Sequence, residues 1–212
     1  VPSPPGQAAD ARLRGAATKR ARSRAALQTA AAEVFAAKGW LAARMEDIAR
    51  AAGVSTPTAY NHFPGGKQQL MGAVYRPLVE PLLSAADAAI RSGMDPFQAV
   101  EGHVGALARI ARRYQRLTEA LVVAVSEQTM KVGRPTVPDS NDIRIIVPLT
   151  APLTQLVEFG RVIGVFRDYP PPADVSSYHT NAILFRVFSR SDESPEDTAR
   201  IALSQLLPAL TP

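Results

Sequence analysis

Two short apolar-periodic stretches meeting at a single glycine constrain this chain more than any other feature. Met45, Ile48, Ala49 and Ala52 recur at spacings of three and four, the period of one helix face. Gly53 interrupts them, Ser55 offers an N-cap, and Pro57 falls in a first turn, where its missing N–H costs little. A second short helix is expected over about 56–62, broken by Phe63-Pro64-Gly65-Gly66. A longer amphipathic helix precedes the pair, with Leu27, Ala30, Ala31, Val34 and Phe35 on one face between Lys19 and Lys38, ended by Gly39. Another opens at Lys67, with Leu70, Met71, Val74 and Tyr75 facing inward. Two short helices joined by a tight glycine turn behind a longer one make a helix-turn-helix, whose second helix can enter the DNA major groove.

The residues meet the physical requirements of that motif. Ala49 is small enough for a close crossing, Gly53 can take the left-handed turn geometry, and Val54 with Ala59 supplies apolar packing. The outward face of the second helix is then Thr56, Pro57, Tyr60 and Asn61, flanked by Thr58 and His62. These groups suit base edges and phosphate oxygens. Lys67, opening the next helix, can bring a point charge to the same backbone.

Charge points the same way. Residues 1–76 carry eleven Lys/Arg against four Asp/Glu, whereas the rest carries thirteen against fifteen, so the basic excess belongs to one third of the chain. Such asymmetry implies a polyanionic partner for the N-terminal part. Lys19, Arg20, Arg22 and Arg24 sit near a helix start, where each cation opposes the macrodipole by about 0.3–1 kcal/mol. Local stability gives no reason for them there, and a passing phosphate backbone does.

Beyond residue 76 the readable periodicity is helical throughout, and no sustained alternation suggests a sheet. The expected class is all-α. Pro77 and Pro81 are expected to kink or split their helix. Further helices are expected over 96–113, 117–131, about 148–161, 174–190 and 195–210, with linkers at GRPTVPDS and DYPPPA. Residues 1–17 have few large apolar groups and read as a mobile basic arm.

Several functions are disfavoured. The absence of cysteine rules out a disulfide framework, a zinc ribbon and a thiol nucleophile, and makes a cytoplasmic setting the default. The charge-free stretch 145–157 is interrupted by Pro148 and Pro152 and falls short of the roughly 20 residues of a membrane span. The first residues hold no run resembling a signal peptide. The Ala-rich first helix lacks the bulky face of an interfacial one. His103 and His179 stand alone, without a partner at metal spacing, and are expected to be structural. The PGGK segment fails as a phosphate loop, because Asn61 stands where its first glycine is needed and Gln68 follows Lys67. No catalytic constellation, metal site or cofactor is expected.

The segment GWLAARMEDIARAAGVSTPTAYNHFPGGKQQLMGAVY closely resembles the DNA-binding domain of the TetR family of transcriptional regulators, over about residues 20–76. The matching pieces are Phe35 and Gly39, Trp40, Asp47-Ile48-Ala49, Ala52-Gly53-Val54-Ser55, and Thr58, Tyr60, His62 and Phe63 with Lys67. The resemblance implies a homodimer on a palindromic operator, with an all-helical C-terminal domain that holds a small ligand and the dimer interface. The chain then divides into the arm (1–17), the helix-turn-helix domain (18–66) and a ligand-binding and dimerisation domain (67–212). Thr56, Pro57, Thr58 and Asn61 are expected to read bases, while Arg44, Tyr60, His62 and Lys67 position the duplex. Ala43 and Arg44 replace hydroxyl residues usual in the family, which removes an N-cap and leaves Arg44 to act electrostatically. Ala59 stands where Leu or Ile is common.

A ligand pocket is drawn from Tyr75, Phe97, His103, Tyr114, Met130 and Tyr178, because aromatic, Met and His groups suit a mixed apolar ligand. The run from Asn181 to Phe188 is apolar almost all round, and Leu203, Leu206, Leu207 and Leu210 form a stripe. In the family such last helices pair with their symmetry mates. The expected function is ligand-responsive repression; the alternative is a small helical enzyme or carrier for a hydrophobic ligand.

Overall fold

The structure, a computed structural model, describes residues 5–132, 140 and 142–211, with side chains from Arg14 onward except at 131 and 132. The described residues form ten helices: α1 (Pro5–Ala42), α2 (Met45–Ala51), α3 (Thr56–His62), α4 (Gly66–Ser92), α5 (Pro96–Arg113), α6 (Gln115–Val132), α7 (Ile143–Ile146), α8 (Ala151–Val162), α9 (Pro172–Ser189) and α10 (Pro195–Leu210). No strand occurs among them.

One apolar core runs from the N-terminal helices into the C-terminal ones. Leu27, Phe35, Ile48, Ala59, Phe63 and Leu70 fill the first part, and Val104, Leu107, Leu121, Leu153, Ile183 and Leu206 the second. α4 joins the two, packing on α1 at one end and on α5 and α8 at the other, while α1 also lies along α6. α5 touches α4, α8, α9 and α10 and is central among the C-terminal helices. Two glycines permit close packing. A Cβ on Gly72 of α4 would lie 1.9 Å from Ile146 Cγ2, and one on Gly160 of α8 would lie 2.2 Å from the Phe166 ring.

Side-chain caps set several helix starts. Ser55, Asp95 and Ser194 each accept a backbone N–H three residues on, ahead of α3, α5 and α10. Three expectations are corrected. Residues 5–17, read as a mobile arm, are the first turns of α1; residues 1–4 lie outside the described set. Pro77 and Pro81 do not split α4, because both face solvent, where water can take the carbonyls of Ala73 and Pro77 that lose a donor. The helix expected over about 148–161 starts later, as α8 at Ala151 with Pro152 in its first turn, and a separate single turn, α7, precedes it. The linker expected at GRPTVPDS lies, apart from Ser140, outside the described residues.

Candidate nucleic-acid interface

Gly39 ends the long first helix geometrically, with φ 70° and ψ 177°, and turns the chain so that Trp40 and Ala43 point into the core. Arg44 occupies the N-cap of α2 in an extended conformation without a side-chain cap. Glu46 and Asp47 in the first turn complement the helix dipole instead. Asp47 also lies 2.9 Å from Lys38 Nζ, and that hydrogen bond holds its carboxyl below the usual range.

The turn into α3 is a Schellman motif. Val54 N–H donates to Ala49 O at 3.0 Å and Gly53 N–H to Arg50 O at 3.1 Å, with Gly53 at φ 67°. Ser55 Oγ then accepts from Thr58 N–H at 3.3 Å and lies 2.8 Å from Thr58 Oγ1. Ala59 is wholly buried, so α3 is anchored by one methyl group and by Phe63 at its end. The opposite side is free: Pro57, Tyr60 and Asn61 are exposed, while Thr56, Thr58 and His62 are partly so. Arg44 is exposed beside them in sequence at the start of α2.

Two cations take places that the sequence pattern does not give them. Arg24 donates to His62 O at 2.9 Å and lies 4.2 Å over the Phe63 ring. It caps the C-terminus of α3, so for this arginine local stability is a sufficient reason. Lys67 is half-buried and donates to Trp40 O at 2.9 Å, with its ammonium 4.4 Å from the Trp40 ring. Trp40 Nε1 in turn donates to Glu127 Oε2 at 2.6 Å, and Gln68 Nε2 donates to Gln128 Oε1 at 2.8 Å. The end of α1 and the start of α4 are thereby tied to α6.

The profile of the family described as "Bacterial regulatory proteins, tetR family" matches residues 27–74. In these residues the chain carries a TetR-family segment. Its first 74 residues thus include the family's helix-turn-helix DNA-binding domain. Among its relatives are the HTH-type transcriptional regulator BetI of Rhizobium meliloti, 38% identical over 101 residues, and the HTH-type transcriptional activator FasR of Mycolicibacterium smegmatis, 40% identical over 93. These matches span 48% and 44% of this chain, but only 47% and 42% of the relatives' lengths.

Solved structures extend the likeness of fold to the C-terminal domain. The TetR-family transcriptional repressor FadR of Thermus thermophilus, in complex with lauroyl-CoA, superposes with a TM-score of 0.64 at 19% identity, covering 88% of this chain and 94% of that one. The fatty acid degradation regulator FadR of Bacillus halodurans gives a TM-score of 0.65 at 16% identity, covering 87% and 98%. No described helix is long and apolar enough to cross a membrane.

The C-terminal helices border a cavity of about 540 Å³ between α6, α7 and α9. Leu121, Val125, Val147, Leu184 and Phe185 give it apolar walls, and Ser126, Thr129 and Thr180 bring hydroxyls to it. The Thr180 hydroxyl is buried without a protein partner. Of the six residues expected to line a pocket, only Met130 reaches this one. His103 lines a smaller cavity elsewhere. Tyr75 is core, fully buried with its hydroxyl 2.9 Å from Thr118 Oγ1, and burial pushes its phenol up to about 12. Phe97 packs edge-on against Phe166, and Tyr114 and Tyr178 are exposed. This lining mixes aliphatic side chains with about as many polar ones, Arg144 among them, and its period on α6 is that of any buried face. Residue type alone points elsewhere.

Proposed function

We propose that this chain is a ligand-responsive transcriptional repressor that binds a palindromic operator as a homodimer and is released by a small molecule. The observation that carries the reading is α3, a capped helix held by Ala59 and Phe63 and turning Pro57, Tyr60 and Asn61 to solvent. Thr56, Pro57, Thr58 and Asn61 read base edges, while Arg44, Tyr60, His62 and Lys67 position the duplex. The 540 Å³ cavity is the effector site; its size falls in the roughly 300–1,000 Å³ range of small-molecule pockets. The aliphatic walls and scattered hydroxyls suit a largely apolar effector with a polar end. The lauroyl-CoA complex of the Thermus regulator supports an effector of that character.

The link between the two sites is α6. Its Val125, Ser126 and Thr129 line the cavity, and the intervening Glu127 and Gln128 hold Trp40 and Gln68. An effector that fits better when α6 is displaced selects a conformer in which those ties, and with them the setting of α3, are changed. The coupling is the difference in effector affinity between the two conformers.

The test is to incubate the purified protein with fragmented genomic DNA of its source near physiological salt and to sequence what is retained. A few fragments sharing an inverted repeat are expected. Uniform recovery, or an unpaired half-site, would overturn the homodimeric operator reading.

A further inference from the structure

α3 is seven residues long, and a helix that short has little stability of its own in water. Its direction is therefore set by what holds it from outside. At the start, Ser55 accepts from Thr58 N–H. In the middle the wholly buried Ala59 enters the core, and α2 is the helix on which α3 chiefly packs. One methyl group fixes how deep the helix sits and does little to resist a swing of its axis.

The far end is held from α1. Arg24 donates a guanidinium N–H to His62 O at 2.9 Å and lies 4.2 Å from the centroid of the Phe63 ring, which is itself wholly buried. His62 O belongs to the last turn of α3, whose carbonyls a helix cannot pair internally. A cation there also matches the negative end of the helix dipole. Arg24 stands three residues before Leu27, the point at which α1 enters the core, so the base of this side chain is firmly placed. The sequence pattern gives Arg24 to a phosphate backbone together with Lys19, Arg20 and Arg22; the structure commits it to α3.

We infer that Arg24 is a positioning residue for base reading: through the His62 carbonyl and the Phe63 ring it fixes the angle at which α3 presents Thr56, Pro57, Thr58 and Asn61, and it makes no phosphate contact of its own. The inference rests on the reading of α3 as the helix that enters the DNA groove. Seven residues of helix span about 10 Å, so a swing of about 10° around Ala59 moves either end by close to 1 Å. That displacement carries a base-edge contact out of the range of about 2.7–3.2 Å in which it is a hydrogen bond. Contacts to phosphate position the duplex without reading it, and long cationic side chains can follow such a shift. Loss of Arg24 should therefore cost sequence discrimination and spare non-specific binding.

The test compares the full chain with Arg24→Met, which keeps an apolar stem near Phe63 and loses the charge and the donor. Arg24 is exposed, so the core is untouched, and circular dichroism with a Tm for each protein checks the fold. The DNA is a duplex carrying the recovered inverted repeat, a set of single-base-pair changes in it, and a scrambled duplex, each titrated at several salt concentrations. A wrong base pair ordinarily costs about five- to 150-fold in affinity, and in the variant that penalty should shrink by at least about threefold. Binding to the scrambled duplex should keep its salt slope, whereas a lost phosphate contact lowers the slope by about one. In the free protein the amides of Tyr60 to Phe63 should exchange with deuterium faster in the variant. A slope lowered by about one with the mismatch penalty intact overturns the inference and puts Arg24 on the backbone. A lower Tm with penalty and slope both unchanged overturns it as well, leaving Arg24 a stabilising residue only. A wild-type chain that binds every duplex alike overturns the operator reading itself, and that result needs no variant to be read.

Discussion

Asn61 stands exposed in the middle of the α3 face, and an amide can pair with adenine through both a donor and an acceptor. Asn61→Ala should therefore change which bases are preferred at one position, by about 1–3 kcal/mol, and not weaken all sequences alike. Selection from a randomised operator library measures this directly. Equal loss on every sequence would place Asn61 on phosphate. His103 supplies a second prediction. The unfolded chain takes up a proton at its ordinary value of 6.5 and the folded chain only near 4. Acid therefore favours unfolding across that interval, and stability is lost as pH falls from 6.5 towards 4. Each unit of difference is worth about 1.4 kcal/mol, giving a loss on the order of 3 kcal/mol. His179, also lowered by burial, adds in the same direction. Urea titrations at successive pH values should show this slope, and His103→Leu should remove most of it.

At the scale of elements, α6 does two things with alternating residues, and Trp40→Phe separates them. The ring remains to pack against Phe35, whose centroid lies 5.7 Å away, while the N–H that Glu127 accepts at 2.6 Å is removed. Operator affinity of the free protein should change by less than about threefold, and the effector-induced loss of affinity should shrink, as expected when one of the hydrogen bonds carrying a coupling of about 1–3 kcal/mol is taken away. Fluorescence anisotropy of labelled operator, with and without effector, checks both quantities.

Much of this architecture was legible because caps and prolines punctuate it. Ser55, Asp95-Pro96 and Ser194-Pro195 give the starts of α3, α5 and α10. The start of α1 was not legible, because scarcity of large apolar groups argues against burial, whereas alanine favours a helix whether buried or not. The continuity of α4 was hidden because a proline's cost depends on whether water reaches the freed carbonyl. The exposed face of α3 was legible since it follows from period and cap alone. The cavities were not: they arise from where α6 meets α9 and α4 meets α5, which no single segment encodes.

Among the described residues, a group of aromatic side chains on α9 stands exposed. On α9, Phe185 is 59% exposed and Phe188 45%, with ring centroids 5.9 Å apart, and Tyr178 lies two turns away. Exposed aromatics so grouped mark an interaction surface, and a second copy of the chain gives the two recognition helices that an inverted repeat requires. Phe188 lies outside the large cavity's lining, so Phe188→Asp tests the surface without touching the proposed effector site. Sedimentation should show a dimer weakened at least about tenfold, the scale expected when a buried aromatic anchor is removed from an interface, with a parallel loss of operator binding. An unchanged dimer would move the interface elsewhere.

At the other end of the molecule, α1 has no buried residue from Arg14 to Ala26, and Leu27 is the first to enter the core. Ahead of Arg24, whose guanidinium is tied to His62 and Phe63, these turns rest on local hydrogen bonds and alanine propensity, so they open locally at little free-energy cost. Their amide hydrogens should exchange with deuterium far faster than those near Leu27 and Phe35. The cations along this stretch are expected to gain phosphate partners on operator DNA, and its exchange should then slow. DNA binding would then include a folding step, with part of the affinity spent on fixing a helix that the free protein leaves fraying.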